Sequence, residues 1–364
     1  NCIKAAEKYR VNLWENLLKR ETKNIIKNSK VKGTTTAMIC PSLGGICGIG
    51  EYTKDIIEGG LENFLPSNNY VIMQDTDIIV IQFEYALHDR ENLAIFIEQC
   101  QNHGRTVILD LHSYLPFYMD WIDVILSADF FVVHSPMLAQ RLNAAGIKNE
   151  RIFVVEMGVK STQFENKTKE QLNIKHEFAV GSFGFLEQNK GFDILASSLD
   201  FVKNRNLDVA WILCSYTKLN SFSQKVEADL YKRIQELKLE NSFYRFGKDK
   251  LPINQVLSYL SAADIIVVPY KEVWTYSSSA SLRDVALLEK PIITTNVSFF
   301  ADVDFVYKVP PKPENIGFAI EEMLTDKTLY ATYQNKTKEY VRTHQWKDVT
   351  VGKYNEILKE IRGK

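Results

Sequence analysis

Short apolar runs alternate with stretches of helical spacing along nearly the whole chain, and the alternation is played through twice. In the first half, 36–40, 77–82, 106–111, 129–133 and 151–155 read as strands, with a helix over 91–103. In the second half, strands are expected at 178–183, 208–214, 242–246, 264–268 and 291–294, with a fainter run at 305–308. Helices fall between them, near 189–203, 222–238, 253–262, 279–289 and 313–325, and two more over 328–362 with Trp346 at their break. Strands that are apolar throughout are buried on both faces, which requires parallel sheets covered by helices. At 364 residues the chain exceeds one ordinary core. The polar stretch 160–176 is a natural boundary. The fold class is therefore α/β, as two doubly wound Rossmann-like domains in tandem. The plan is a helical extension over 1–30, a first domain over 31–160, a second over 161–327 and C-terminal helices over 328–364.

Composition narrows the function classes. Apolar residues at 45% and charged residues at 24% belong to a folded protein, and a net charge of -1 gives no overall pull toward nucleic acid or an anionic membrane. The five cysteines are scattered without a Cys-x2-Cys pair, so buried thiols in a reducing cytoplasm are expected. No apolar run is long enough to span a bilayer, and no signal peptide is visible. The chain opens on Asn1, not Met, as an excised piece of a longer protein would. Residues 3–28 carry apolar groups at helical spacing, including Trp14, Leu17, Leu18 and Ile25. That helix either packs on its own domain, connects to a removed one, or meets a membrane surface or partner.

Two turns at strand ends have the chemistry to meet phosphate. Lys190 follows a strand and turn and is placed at a helix start, where a cation pairs with phosphate oxygens; a surface lysine beside a capping Asn189 is the equal alternative. Ser277, Ser278 and Ser279 bring hydroxyls and N–H groups to another helix start, or simply cap it. Asp284, further into that helix, can accept from ribose hydroxyls or stand solvated. His112 follows an apolar strand, at the sheet edge where open α/β sheets bind ligands; a satisfied structural histidine is the equal alternative. The glycines of 44–50 permit close approach to backbone N–H groups, but their spacing is not Gly-x-Gly-x-x-Gly, and a dinucleotide site is not expected. No metal-ligand spacing and no nucleophile elbow is present.

Together these pieces resemble the GT-B glycosyltransferases, in particular retaining family 4. The resemblance rests on Gly48-Ile49-Gly50-Glu51-Tyr52-Thr53, on a strand ending in His112, on Ala128-Asp129 through Ser135, and on Gly158-Val159. Further on it rests on Gly184-Phe185-Leu186 with Lys190-Gly191, on Asp284 through Pro291, and on the break at Trp346. Two departures stand out. Tyr276 occupies the place of the first acid in the family's Glu-x7-Glu motif, and Phe185 lies about where a basic residue is common.

The resemblance implies a metal-independent glycosyltransferase that moves a hexose-type sugar with retention from a nucleotide-diphosphate donor to a glycan or lipid-linked acceptor. It implies a cleft between domains, a final helix returning to the first domain, and no cofactor beyond the substrate. His112 and Lys190 would be catalytic. Gly48, Gly50, Gly184, Phe185, Lys190, Tyr276, Ser277, Ser278, Ser279 and Asp284 would bind the donor. The setting would be cytoplasmic, in bacterial surface polysaccharide synthesis, with peripheral membrane or multidomain association left open. The alternative is a degenerate GT-B domain that binds a glycan or partner without turnover.

Overall fold

A computed structural model describes residues 35–363, apart from 46, 72–74, 115–118, 219 and 274. The helix expected over 3–28 lies outside these residues, as does Cys2. The chain divides into two compact units.

The first unit runs to His112 and takes in Tyr118–Val133 and Gly146–Phe153. It holds β1 (Thr35–Ile39), α1 (Gly48–Glu58), β2 (Phe64–Ser67), β3 (Thr76–Phe83), α2 (Arg90–Asn102), β4 (Thr106–Leu111), α3 (Ile122–Ser127), β5 (Phe130–Val133) and β6 (Ile152–Val154). The sheet order is β2-β1-β3-β4-β5-β6. Ile79, Val80 and Ile81 on β3, like Val107, Ile108 and Leu109 on β4, are fully buried whichever way they point, as a sheet covered on both faces requires. β2 was not expected from the sequence. It is an edge strand, largely open to solvent, that carries Pro66 and pairs only with β1 among the described strands. An edge tolerates a residue without an N–H, and such a strand shows no apolar run.

A buried histidine in this unit sets a pH dependence. His88 Nε2 lies 2.9 Å from the Gln82 carbonyl and its Nδ1 2.6 Å from the Tyr70 hydroxyl. A carbonyl only accepts, so Nε2 carries the proton and Nδ1 accepts from Tyr70. Burial holds this imidazole below its usual value of 6.5, although the Gln82 bond pulls the other way. As pH falls, the unfolded chain therefore takes up the proton first, and stability is lost below the ordinary histidine range. The melting temperature should drop between about pH 7 and about pH 5. His88→Phe, which preserves the stacking on Phe83 (5.6 Å, 5°), should flatten that slope. Equal slopes for the two proteins would refute the assignment.

The second unit comprises Ser113–Phe117, His134–Ala145 and everything from Val154. Its elements are α4 (Pro136–Ala144), β7 (Phe178–Phe185), α5 (Phe192–Lys203), β8 (Val209–Tyr216), α6 (Ser221–Glu236), β9 (Phe243–Phe246) and α7 (Ile253–Leu260). They continue with β10 (Ile265–Val268), α8 (Ala280–Ala286), β11 (Ile292–Thr295), β12 (Tyr307–Val309), α9 (Pro313–Thr325), α10 (Lys327–Thr343) and α11 (Lys353–Gly363). The order β12-β11-β10-β7-β8-β9, with every pairing parallel, reverses direction between β7 and β10. Alternate strand residues feed two cores. Val180, Trp211, Leu213, Ile265 and Val267 face α5, α6 and α9. Ala179, Ile212, Cys214, Ile266 and Val268 face α7 and α8. The segment before the expected boundary belongs here because it is stitched to the C-terminal end. The N–H of Val159 donates to the His344 carbonyl (2.7 Å), that of Trp346 to the Val159 carbonyl (2.9 Å), and that of Gly158 to the Thr350 hydroxyl (2.9 Å). A π-helical turn, Trp346–Gly352, separates the last two helices.

Candidate functional site

Doubly wound sheets offer a crevice at the carboxyl ends of the strands, where the strand order reverses. In the second unit that point lies between β7, which leads to Lys190, and β10, which leads to Pro269 and Tyr270. The expectation that Lys190 opens the helix is corrected here. Lys190 closes a 3-10 turn, Gln188–Lys190, and α5 starts only after Gly191, which is left-handed at φ 69°. The cause is a close approach of two backbones: a Cβ at Gly191 would stand 1.9 Å from the Pro269 carbonyl oxygen. The Lys271 N–H donates to the Asn189 carbonyl at 2.8 Å and fastens the two loops together.

That docking presents Lys190 to Tyr270. The Lys190 ammonium donates to the Tyr270 hydroxyl oxygen at 2.7 Å and lies 4.0 Å from the ring centroid. The Ser279 hydroxyl lies 3.4 Å from the same oxygen and also accepts from the Leu282 N–H as the cap of α8. Tyr270 is 1% exposed, yet its phenol is held below its ordinary value. Burial pushes the phenol up. The charge of Lys190 and hydrogen bonds from Lys190, Ser279 and Ser281 outweigh it. Beside this cluster is a pocket of about 80 Å³ whose walls include Gly184 and Phe185 at the end of β7, Tyr216 at the end of β8, Gly247 and Lys250 after β9, and Ser281 on α8. Gly184 and Phe185 thus border the crevice, and the Lys190 side chain passes within 3.7 Å of where a Gly184 Cβ would be. Phe185 meets Tyr216 edge-on at 6.1 Å and lies under the Lys218 ammonium at 4.8 Å.

The serine turn is held from behind. Ser278 donates to the Asp302 carboxylate (2.8 Å) and stands 3.2 Å from the His134 carbonyl. Asp302 pairs with Arg283, and both side chains are more than nine-tenths buried. Arg283 also donates to the carbonyls of Ser279 (3.2 Å) and Met157 (3.3 Å). Ser277 is half-buried in the same turn. At seven residues α8 is too short for its dipole to dominate, so side chains carry the chemistry of this corner. Asp284 stands 3.6 Å from the Lys160 ammonium and is not in the pocket wall, where Ser281 represents α8. Tyr276 exchanges two backbone hydrogen bonds with Tyr114, each 3.2 Å, and the Arg141 guanidinium covers its ring at 4.8 Å. Glu272, earlier in the same connection between β10 and α8, accepts from the Ser298 N–H (3.0 Å) and hydroxyl (2.7 Å).

In the first unit, His112 is 9% exposed at the end of β4. Its Nε2 is 2.7 Å from Gln82 Oε1, and Gln82 donates in turn to Asp110 at 3.0 Å. Tyr52 meets the imidazole edge-on at 4.8 Å. Gly48 opens α1. Gly50 has a packing reason to be glycine, since a Cβ there would stand 2.4 Å from the Ser42 carbonyl oxygen. Sequence reasoning passed over Tyr270 and Asp302. Tyr270 had a signal, being the polar residue that closely follows the fully apolar strand β10. Asp302 had none.

No family model and no curated protein matches this sequence. Solved structures do. HepE of Anabaena, in complex with UDP and glucose, superposes with a TM-score of 0.70 at 15% identity, covering 91% of this chain and 99% of its own. The fold is GT-B. Sucrose-phosphate synthase of Thermosynechococcus elongatus gives a TM-score of 0.72 at 13% identity, over 90% and 99% of the two chains. A UDP-forming α,α-trehalose-phosphate synthase of Burkholderia vietnamiensis gives 0.64 at 10% identity, over 79% and 73%. At such identities the likeness speaks for the GT-B fold of two Rossmann-like units, each built on a six-stranded sheet.

Proposed function

We propose that the protein is a retaining, metal-independent glycosyltransferase that takes a hexose-type sugar from a nucleotide-diphosphate donor to a glycan or lipid-linked acceptor. The observation that carries this reading is the cluster of Lys190, Tyr270 and Ser279 at the point of strand reversal, beside a pocket at the strand ends. A cation and hydroxyls preorganised there match the charge that grows on a departing diphosphate. The aromatic walls of the pocket, Phe185 and Tyr216, offer a stacking surface to a flat base. Because HepE was solved with UDP and the trehalose-phosphate synthase is UDP-forming, UDP-sugars are the first donors to test. No described helix is long and apolar enough to cross a membrane, which fits an enzyme that meets lipid-linked acceptors peripherally. A role in bacterial surface polysaccharide synthesis rests on the family-4 resemblance.

Tyr276, bound through its backbone to Tyr114 where the family has an acid, favours one other reading: a GT-B domain that binds without turnover. Thermal-shift measurements with UDP, GDP and their sugars, followed by donor-consumption assays with a glycan panel, decide between them. Stabilisation with consumption supports the enzyme, and stabilisation alone supports the binding module. No shift with any nucleotide would refute the nucleotide-sugar reading.

A further inference from the structure

We propose that Tyr270 is the positioning residue for Lys190, holding the ammonium on its phenol oxygen at the strand-reversal crevice so that it meets a donor's diphosphate already in place. The proposal rests on the donor reading above and concerns how that site is organised.

A lysine side chain carries substantial rotamer entropy, which a binding site must otherwise overcome when ligand arrives. Here the ordering precedes the ligand. Gly191 and the bond from Lys271 to Asn189 dock the Lys190 turn onto the end of β10, and Tyr270 then takes the ammonium at both hydroxyl and ring. The phenol is itself immobile. It is buried between the rings of Phe299 (5.4 Å) and Phe300 (5.0 Å), and its backbone carbonyl accepts from Thr295 at 2.5 Å. An ammonium has three donors, so one can stay on Tyr270 while others turn to phosphate oxygens. The groups facing the phenol are Lys190 from the turn after β7, Ser279 and Ser281 from α8, and the two phenylalanine rings from the turn after β11. Of these groups only Lys190 is charged.

This arrangement has a consequence in pH. The phenol titrates below its ordinary value of 10: burial raises it, but Lys190 and the serine hydrogen bonds prevail. Once ionised, the phenolate cancels the charge of Lys190 and repels a diphosphate. Affinity should therefore weaken as pH rises toward 10.

The test compares wild type with Tyr270→Phe, which keeps the ring between Phe299 and Phe300 and removes only the hydroxyl. Both are titrated calorimetrically with UDP, UMP and uridine, or with the guanosine series if GDP is the diphosphate that stabilises the wild type. Tyr270→Phe should weaken the diphosphate by about tenfold, leave the nucleoside unchanged, and lack the alkaline loss of affinity. Equal diphosphate affinity and equal pH profiles in the two proteins would overturn the proposal. So would an equal loss for uridine, because the residue would then serve the pocket as a whole. Failure of the wild type to bind any nucleotide would instead refute the donor reading, and the inference with it.

Discussion

Lys190→Ala should raise the Kd for UDP, or for whichever nucleoside diphosphate binds, by about 30- to 100-fold, the worth of one charge-assisted contact to a diphosphate. The expectation follows from the ammonium's position, which is fixed at the crevice by the Tyr270 oxygen at 2.7 Å. The same substitution should lower donor turnover further than binding, because charge on the leaving diphosphate is greatest in the transition state. Lys190→Arg is a useful companion. Its planar guanidinium retains the charge but cannot occupy the compact place of an ammonium on Tyr270, so it should restore only part of the affinity. Calorimetric titration settles the point. A Kd unchanged in Lys190→Ala would remove the phosphate assignment altogether, whatever else the pocket binds.

The second large effect concerns stability. Arg283→Met should destabilise the second unit by about 3–5 kcal/mol, because it strands the Asp302 carboxylate in a buried place. Arg283 and Asp302 side chains are 4% and 6% exposed, and Asp302 Oδ1 has no hydrogen-bonding partner among the described residues. Asp302 therefore depends on Arg283 and Ser278 for its compensation. The double variant Arg283→Met/Asp302→Asn removes both charges, keeps an acceptor for Ser278, and should recover more than half of the loss. Urea unfolding of the three proteins measures this directly. A single variant as stable as the wild type would show that the pair is not desolvated in solution.

The two predictions divide in how far the sequence foretold them. Lys190 was legible because lysine-glycine after a strand is a recognisable local pattern, and each side of that pattern lies within a few residues. Its true setting was not legible. The left-handed Gly191 that ends the 3-10 turn answers to Pro269, a residue far away along the chain. Arg283 illustrates the opposite case. Nothing local marks it, since an arginine inside a helix reads as part of a solvated face. Its burial arises from Met157, Ser279 and Asp302, which converge on it from three separate segments. Gly50 is a third example. Read as ligand-approach glycine, it has a sufficient reason in the carbonyl of Ser42 packed against it.

Strand positions illustrate the same division. Apart from β2, every strand lies within two residues of its expected place. Fully buried parallel strands must be apolar throughout, and that constraint is written into consecutive residues. β2 escaped because an edge strand with one wet side and a proline obeys no such constraint. The alternation of strand and helix, hence two doubly wound units, and the residue types available at the strand ends are written locally in the chain. Which of those residues meet is settled by the packed fold. Strand order, backbone close approach and buried charge compensation depend on residues distant in the chain, and no local spacing encodes them. Through them Tyr270 came to Lys190 and Asp302 to the serine turn.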